Sequence, residues 1–156
     1  MDETSILHAT LVFERTIPAP AAQVFAAYAD ITERKKWGAP SENTALIYDK
    51  ADFREGGDDA FRCGSQANPN IHGATHYLDI VANRRIVSSE TIAMDGRRLC
   101  TSLTTLEFHP EGAHTKLKST TQLVSFIGQE MVRGHENGTN ASLNNLVHHF
   151  SSPQNR

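Results

Sequence analysis

Residues 8–28, HATLVFERTIPAPAAQVFAAY, have the pattern of a strand followed directly by a helix. Apolar and polar side chains alternate over His8–Ile17, as expected of a half-buried strand. Pro18 and Pro20 end this strand, and Pro20 also suits the first turn of a helix. The helix predicted after it continues to Tyr28 and has one apolar face. The chain therefore opens with a strand and a helix.

A second short helix is predicted over Glu33–Trp37, with Asp30 or Thr32 as its cap and its end at Gly38-Ala39-Pro40. Short strand segments follow, and turn residues such as Asp95-Gly96 join them. The predicted segments are Thr44–Tyr48, Ala60–Gly64, Gly73–Val81, Ile86–Ala93, Leu99–Phe108 and Thr115–Val124. Because short turns connect consecutive strands, the segments are expected to form an antiparallel meander.

The last predicted element is one long helix. Its apolar stripe is formed by side chains at helical spacing, namely Leu143, Leu146, Val147 and Phe150. The stripe extends back to Met131 or Val132. Gly134 and Gly138 lie in the first half of the helix, and they indicate either a break or a close approach to the sheet.

These elements predict an α+β fold, in which a curved antiparallel sheet of six to seven strands wraps around the long C-terminal helix. Two short helices lie between strands 1 and 2. A single helix does not fill the concave side of such a sheet, so a cavity is expected between them. No repeat or linker divides the chain, which predicts a single domain over residues 1–156 with an ordered core of about 8–150.

Composition argues against two classes of partner. The 15 Lys and Arg against 18 Asp and Glu give a net charge of -3, which does not favour binding to nucleic acid or to a membrane surface. Cys63 and Cys100 have no metal spacing and are expected to be reduced thiols. The start of the chain is acidic, and no apolar run approaches the ~20 residues of a membrane helix. We therefore expect a cytoplasmic protein without a metal or a cofactor.

The order of elements resembles the START-like superfamily, also called SRPBCC, Bet v 1-like or helix-grip, which includes polyketide cyclases and lipid-transport proteins. Within it, residues 13–37 are similar to the first strand, the helix start and the tryptophan of the branch named for the activator of Hsp90 ATPase C-terminal domain. The hairpin Asp79–Val87, the strands around Leu106–Leu117 and the helix start Glu136–Thr139 are similar to the same branch. Ala82 stands where the hairpin proline of that branch is usual.

Glu90 is the strongest candidate for acid–base chemistry. If Ile86, Ile92 and Met94 face the interior, strand alternation places Ser88 and Glu90 on the same inward face. The resemblance implies aromatic residues at both positions, so the cavity wall of this chain is expected to be more polar. A carboxyl group there would have a raised pKa and could move a proton or bind a polar ligand. The alternatives are a carboxylate near the strand end or one paired with an arginine such as Arg62 or Arg85.

A second catalytic candidate is His76, which could also be a polar residue of the cavity wall or a surface histidine. The predicted ligand contacts combine aromatic residues around the cavity with the polar candidates. They are Trp37, Tyr48, Phe53, Phe61, His76, Ser88, Glu90 and Met131. For the aromatic residues, the alternative is an ordinary place in the hydrophobic core.

Three functions are compatible with these patterns. The first is binding of a small hydrophobic or amphipathic molecule in the cavity. The second is a cyclase or dehydratase type of enzyme that uses Glu90 or His76, and the sequence leaves open whether any reaction is catalysed. The third, implied by the resemblance, is a module that activates a chaperone ATPase. A homodimer formed through an exposed sheet face or edge strand is a further expectation.

Overall fold

The structure is a computed structural model that describes residues 6–39 and 41–151. Within these residues the chain forms seven strands and three helices in the predicted order. The strands are β1 (Leu7–Ile17), β2 (Thr44–Lys50), β3 (Asp58–Ser65), β4 (Ile71–Val81), β5 (Arg85–Met94), β6 (Arg97–Glu111) and β7 (His114–Ser125). The helices are α1 (Ala21–Ala29), α2 (Ile31–Trp37) and α3 (Gln129–Ser151). This arrangement confirms the predicted helix-grip fold.

All seven strands belong to one curved antiparallel sheet with the order β1-β7-β6-β5-β4-β3-β2. The six strands from β2 to β7 pair with their neighbours in sequence, as a meander does. The first strand instead crosses to the far side and pairs with β7, from Leu7 opposite Ser125 to Ile17 opposite Thr115. As a result, β1 and β2 are the two edges of the sheet.

Local chemistry explains the two short helices. Pro20 precedes α1 in an extended conformation, with φ of -62° and ψ of 153°. The side chain of Asp30 caps α2, where its Oδ1 accepts a hydrogen bond from the Thr32 backbone N–H at 2.9 Å. This choice settles the two predicted caps in favour of Asp30. Of the predicted helix end, Gly38 and Ala39 follow α2, and Pro40 lies outside the described residues.

The hydrophobic core lies where α1 and the C-terminal part of α3 pack on β1, β6 and β7. Ile17, Val24 and Leu146 have no exposed surface there, and Leu117 is 1% exposed. Phe25 of α1 meets Phe108 of β6 edge-to-face, with 5.5 Å between the ring centroids. This part of the core therefore anchors α1 and the C-terminal part of α3, and the cluster continues along β6 and β7 to Val132 near the start of α3.

Helix α3 is continuous through both of its glycines, which corrects the expectations of a break or a close approach to the sheet. A Cβ atom built on Gly134 or Gly138 would meet no heavy atom within 4 Å. The helix tolerates them because its other residues continue the hydrogen-bonded turn, at a cost of about 0.5–1 kcal/mol for each glycine relative to alanine. Both glycines border open space rather than packed atoms.

Two further observations concern the cysteines and the helices. Cys63 and Cys100 are free thiols, and Cys100 is fully buried. In the part of the chain that the structure describes, no helix is both long enough and apolar enough to cross a membrane.

Candidate functional site

A cavity of about 620 Å³ lies between the concave face of the sheet and α3. It exists because α3 packs closely on β1, β7 and α2, whereas the strands from β2 to β5 pass it at a distance. The lining is mainly apolar and comes from both layers. On the sheet side it includes Leu46, Phe61, Ile71, Ile86, Ile92 and Leu106, and on the α3 side Met131 and Leu143.

Strand alternation decides which side chains reach the cavity. On β5, Ile86, Ser88, Glu90 and Ile92 all line it, as the expected parity requires. Met94, which was expected to share this face, lies at the end of the strand and is 36% exposed. The two polar residues of β5 that face the cavity, Ser88 and Glu90, therefore lie between the aliphatic residues Ile86 and Ile92.

The predicted ligand contacts fall into two groups. Seven of them border the cavity, namely Trp37, Tyr48, Phe53, Phe61, Ser88, Glu90 and Met131. Some of these aromatic residues also belong to the packed structure: Trp37 is 6% exposed, and its indole Nε1 donates a hydrogen bond to the Ala27 carbonyl at 3.1 Å.

His76 is the exception: it is neither a catalytic candidate nor a cavity residue in the structure, and it matches the alternative of a hydrogen-bonded surface histidine. Its neighbours Thr75 and Tyr77 on β4 point into the cavity, so His76 points to the opposite face of the sheet. There its Nδ1 lies 2.7 Å from Asp58 Oδ1, and nearly half of the histidine side chain is exposed. A residue on the outer face does not reach a molecule in the cavity.

The carboxyl group of Glu90 is buried in the wall of the cavity. Its Oε2 accepts a hydrogen bond from Thr75 Oγ1 at 3.1 Å. Burial raises the pKa of Glu90, the Thr75 hydrogen bond partly offsets this, and the nearby charge of Asp59 raises it further. A carboxyl group of this kind retains its proton to a higher pH than an exposed glutamate.

The arginines proposed as alternative partners of Glu90 are engaged elsewhere. Arg62 forms an exposed ion pair with Asp49, with its Nε 2.8 Å from Oδ2. Arg85 pairs in the same way with Asp79 at 2.6 Å. The predicted arginine pairing of Glu90 is therefore wrong, because the side chains of Arg62 and Arg85 lie on the outer face of the sheet, opposite the cavity.

The main feature that the sequence did not reveal is a buried ion pair at the α2 side of the cavity. Arg34 Nη1 lies 2.7 Å from Asp59 Oδ2, and the two side chains are 9% and 2% exposed. The Arg34 Nε donates a second hydrogen bond to the Tyr28 carbonyl at 2.8 Å. A signal did exist in the sequence, since Arg34 stands three residues before Trp37 and shares its helix face.

Asp59 uses both carboxylate oxygens within the fold. Its Oδ1 accepts from the Asp52 backbone N–H at 3.0 Å, and its Oδ2 accepts from Arg34 and from the hydroxyl of Tyr77. Burial raises the pKa of Tyr77 well above its usual range, an effect that Arg34 partly offsets. The phenol therefore stays protonated and remains a donor to Asp59.

Unlike Asp59, Arg34 does not use all of its hydrogen-bonding groups. Its Nη2 is buried and makes no hydrogen bond of normal geometry among the described residues, while the Tyr48 side chain interacts with the same guanidinium as a weak hydrogen-bond partner. The guanidinium carbon lies 5.0 Å from the centroid of the Tyr48 ring, which covers the group from the β2 side. An unpaired donor on a buried cation is unusual in a native fold.

The helix side of the cavity is formed by small and polar residues of α3. Gly134, His135, Gly138 and Ser142 line it, together with Met131. Burial lowers the pKa of His135, so this imidazole is neutral at pH 7. Among the described residues, no group of three or more His, Cys, Asp or Glu side chains is placed to hold a metal ion.

This arrangement is suited to an apolar molecule that carries a polar group. The apolar wall would accept the body of such a molecule, while Arg34, Glu90 and Ser88 offer polar contacts at fixed positions. Glu90 is also the one predicted acid–base candidate that the structure places inside the cavity.

Comparison with solved structures gives close matches to this architecture. The Mll3558 protein from Rhizobium loti is 33% identical, with a TM-score of 0.82 over 92% of this chain and 98% of that one. An uncharacterized protein from Rhizobium leguminosarum is 31% identical, with a TM-score of 0.84 over 94% and 97% of the two chains. Protein CV1439 from Chromobacterium violaceum, at 22% identity and a TM-score of 0.77 over 92% and 97%, shares the fold.

No curated protein is significantly similar to the chain in sequence. The family described as "Activator of Hsp90 ATPase homolog 1-like protein" matches residues 18–151, which include α1, α2, α3 and six of the seven strands. This match agrees with the resemblance that the strand, helix and tryptophan motifs carry. The chain therefore belongs to the Hsp90 ATPase activator homolog 1-like family, within the START-like superfamily.

Proposed function

We propose that this protein binds a small apolar or amphipathic molecule in the cavity between the sheet and α3. The observation that carries the proposal is the cavity itself: its volume of about 620 Å³ falls within the usual range for ligand pockets. Its wall is mainly apolar, with a few polar groups that converge on the interior. This combination is typical of a site that holds a molecule by burial and orients it by hydrogen bonds.

The glycines of α3 support the same function. Alanine at Gly134 or Gly138 would meet no atom within 4 Å, so packing does not require glycine at either position. Alanine would also stabilise the helix. Glycine is the residue that leaves the most room beside the helix, and a ligand is a reason to keep that room.

The first test looks for the ligand directly. Native mass spectrometry of the purified protein detects a co-purified molecule, and a thermal-shift screen covers lipids, polyketide-like aromatic compounds and small acids. A ligand that binds only the folded state stabilises it by about 2.7 kcal/mol at a hundredfold excess over its Kd. We expect a bound mass, or a rise in melting temperature with at least one compound.

A pair of variants makes this test specific to the cavity. Gly138→Leu places a large side chain into the space, and Asn137→Leu adds the same side chain on the exposed face of the same helix. We expect binding to be lost in the first variant and kept in the second. If both variants bind like the wild-type protein, or if no compound in the screen binds, the cavity is not a ligand site.

Glu90 supports a second candidate function, catalysis of the cyclase or dehydratase type. It is a carboxyl group with a raised pKa that faces a cavity large enough for a substrate. In that case Glu90→Gln would abolish turnover of a bound compound and leave its affinity within about threefold. Equal turnover in both proteins would exclude Glu90 as the acid or base.

We further propose three properties that do not depend on the cavity. They are activation of a chaperone ATPase, which the family's descriptive name suggests, a cytoplasmic location, and a homodimer formed through an exposed face of the sheet or one of its edge strands β1 and β2. A pull-down with a purified Hsp90-type chaperone and a sedimentation experiment test the first and the last independently of ligand binding.

A further inference from the structure

We propose that the molecule held in this cavity is uncharged and presents an oxygen acceptor, such as a carbonyl oxygen, to Arg34. The inference rests on the proposed function and adds the chemical class of the ligand. It separates neutral ketones, esters and amides from fatty acids and other anions of the same size. Three features of the cavity wall carry it.

The first feature is the balance of charge. Among the described residues that line the cavity, Arg34 is the one lysine or arginine, and Asp59 already neutralises it at 2.7 Å. His135, the other basic side chain in the wall, is kept neutral by burial. An anionic ligand would therefore enter an apolar space without a free cation to offset its desolvation.

The second feature is Glu90, a further carboxyl group in the same wall. If Glu90 is ionised, it repels an anionic ligand. The repulsion is relieved only if Glu90 takes up a proton, which costs free energy at a pH above its pKa. Both consequences weaken the binding of an anion. A neutral molecule avoids them.

The third feature is the unpaired donor. Arg34 Nε and Nη1 hold the Tyr28 carbonyl and Asp59, whereas Nη2 is buried without a hydrogen bond of normal geometry. A ligand oxygen would complete the hydrogen bonds of this group. The ring of Tyr48 covers the guanidinium, so a ligand oxygen would compete with Tyr48 for this group. Tyr48 lies on edge strand β2, beside an irregularity in the pairing of β2 with β3.

The test uses three bicyclic probes of nearly equal shape: 2-acetylnaphthalene, 2-ethylnaphthalene and 2-naphthoate. They carry a neutral acceptor, no acceptor and an anionic acceptor. Their Kd values are measured by equilibrium dialysis against the 156-residue protein at pH 8. We expect the ketone to bind about tenfold more tightly than the hydrocarbon, the effect of one hydrogen bond to a charged donor. We expect the carboxylate to bind more weakly than both.

Each other result has a defined meaning. If 2-naphthoate binds as tightly as the ketone or more tightly, the inference is wrong although the cavity binds ligands. If the ketone and the hydrocarbon bind equally, Arg34 does not recognise an acceptor, and the inference is again wrong. If none of the three probes binds although another compound of the screen does, the inference is wrong and the proposed function stands; if no compound binds at all, the proposed function fails as well.

Two variants assign the selectivity to named residues. Arg34→Lys keeps the charge beside Asp59 but removes Nη2, so the ketone should lose its advantage over the hydrocarbon. Arg62→Lys, a change in an exposed ion pair outside the cavity, is the matched control and should leave all three Kd values within twofold. An unchanged ketone preference in folded Arg34→Lys protein would overturn the inference.

If Arg34→Lys does not fold, Glu90→Gln provides an independent measurement. It removes the second carboxyl group and keeps a similar shape. Binding of 2-naphthoate should improve at least threefold, while binding of the ketone changes less than twofold. No improvement for the anion would contradict the electrostatic part of the inference.

Discussion

The two halves of α3 face the same sheet in different ways. The C-terminal half buries Leu146 completely in the hydrophobic core, and Leu143 lies between this core and the cavity. The N-terminal half buries Val132 but presents Gly134 and Gly138 to open space. A single helix can thus anchor a fold at one end and border a cavity at the other, because packing is set by side-chain volume turn by turn rather than by the helix as a unit.

The largest change in stability is expected from the buried ion pair in the cavity wall. Asp59→Asn leaves the buried Arg34 without its counter-ion, and loss of one partner of a buried pair costs about 3–5 kcal/mol. Urea unfolding followed by circular dichroism measures the loss. Asp49→Asn, which opens the exposed pair with Arg62, is the control and should change stability little. Equal effects of the two variants would contradict the contrast between buried and exposed pairs.

The next effect tests the packed half directly. Leu146→Ala removes a fully buried side chain, and substitutions of this kind cost about 2–5 kcal/mol. Met131→Ala, at the other end of α3, removes a side chain that already borders the cavity, so it should cost less than half as much. The difference in unfolding free energy between the two variants measures how unlike the halves are, and similar losses would show that the open half is packed as well.

A pH dependence is expected from Glu90. Because burial raises its pKa in the folded protein, the folded state holds the proton to a higher pH than the unfolded chain does. This contribution to stability is complete below the ordinary glutamate pKa of about 4.3 and is lost as the pH rises through the raised value. Glu90→Gln should therefore melt at a higher temperature than the wild-type protein at pH 8, with the difference vanishing near pH 4. A constant difference across this range would exclude Glu90 as its source.

The smallest effect has the opposite sign. Gly138→Ala should stabilise the protein by about 0.5–1 kcal/mol, because the helix gains a better residue and no atom lies in the way. Gly73→Ala on β4 is the contrasting control: its Cβ would overlap the Phe61 ring, so this variant should be destabilised. A loss of stability in Gly138→Ala would mean that the space beside α3 is already filled.

The order of elements could be predicted because it depends on local signals. The alternation in residues 8–17, the prolines after it and the glycine-containing turns act within a few residues, and the structure has each of these elements. The same alternation placed Ser88 and Glu90 on the inward face of β5. Local periodicity therefore predicted both the order of elements and part of the cavity wall.

The features of the site that could not be predicted depend on contacts between residues that are distant in sequence. Arg34 and Asp59 stand 25 positions apart, so although helical spacing places Arg34 on the face of Trp37, no local pattern identifies Asp59 as its partner. His76 was predicted without the parity of β4, which Thr75 and Tyr77 settle. Gly134 and Gly138 carry no side chain that could indicate a cavity, so their role required the positions of the neighbouring atoms.

The pairing of the first strand with the last has a consequence for synthesis of the chain. The hydrogen bond from Thr115 Oγ1 to the Ala19 carbonyl joins residues 96 positions apart. At ordinary rates of translation, about 5–20 residues per second, the second partner appears roughly 5–20 s after the first. During that interval β1 has no neighbour with which to form its ladder, and its apolar face awaits β7. The nascent protein therefore carries an unpaired strand for most of its synthesis, and this is the period in which a chaperone would protect it from aggregation.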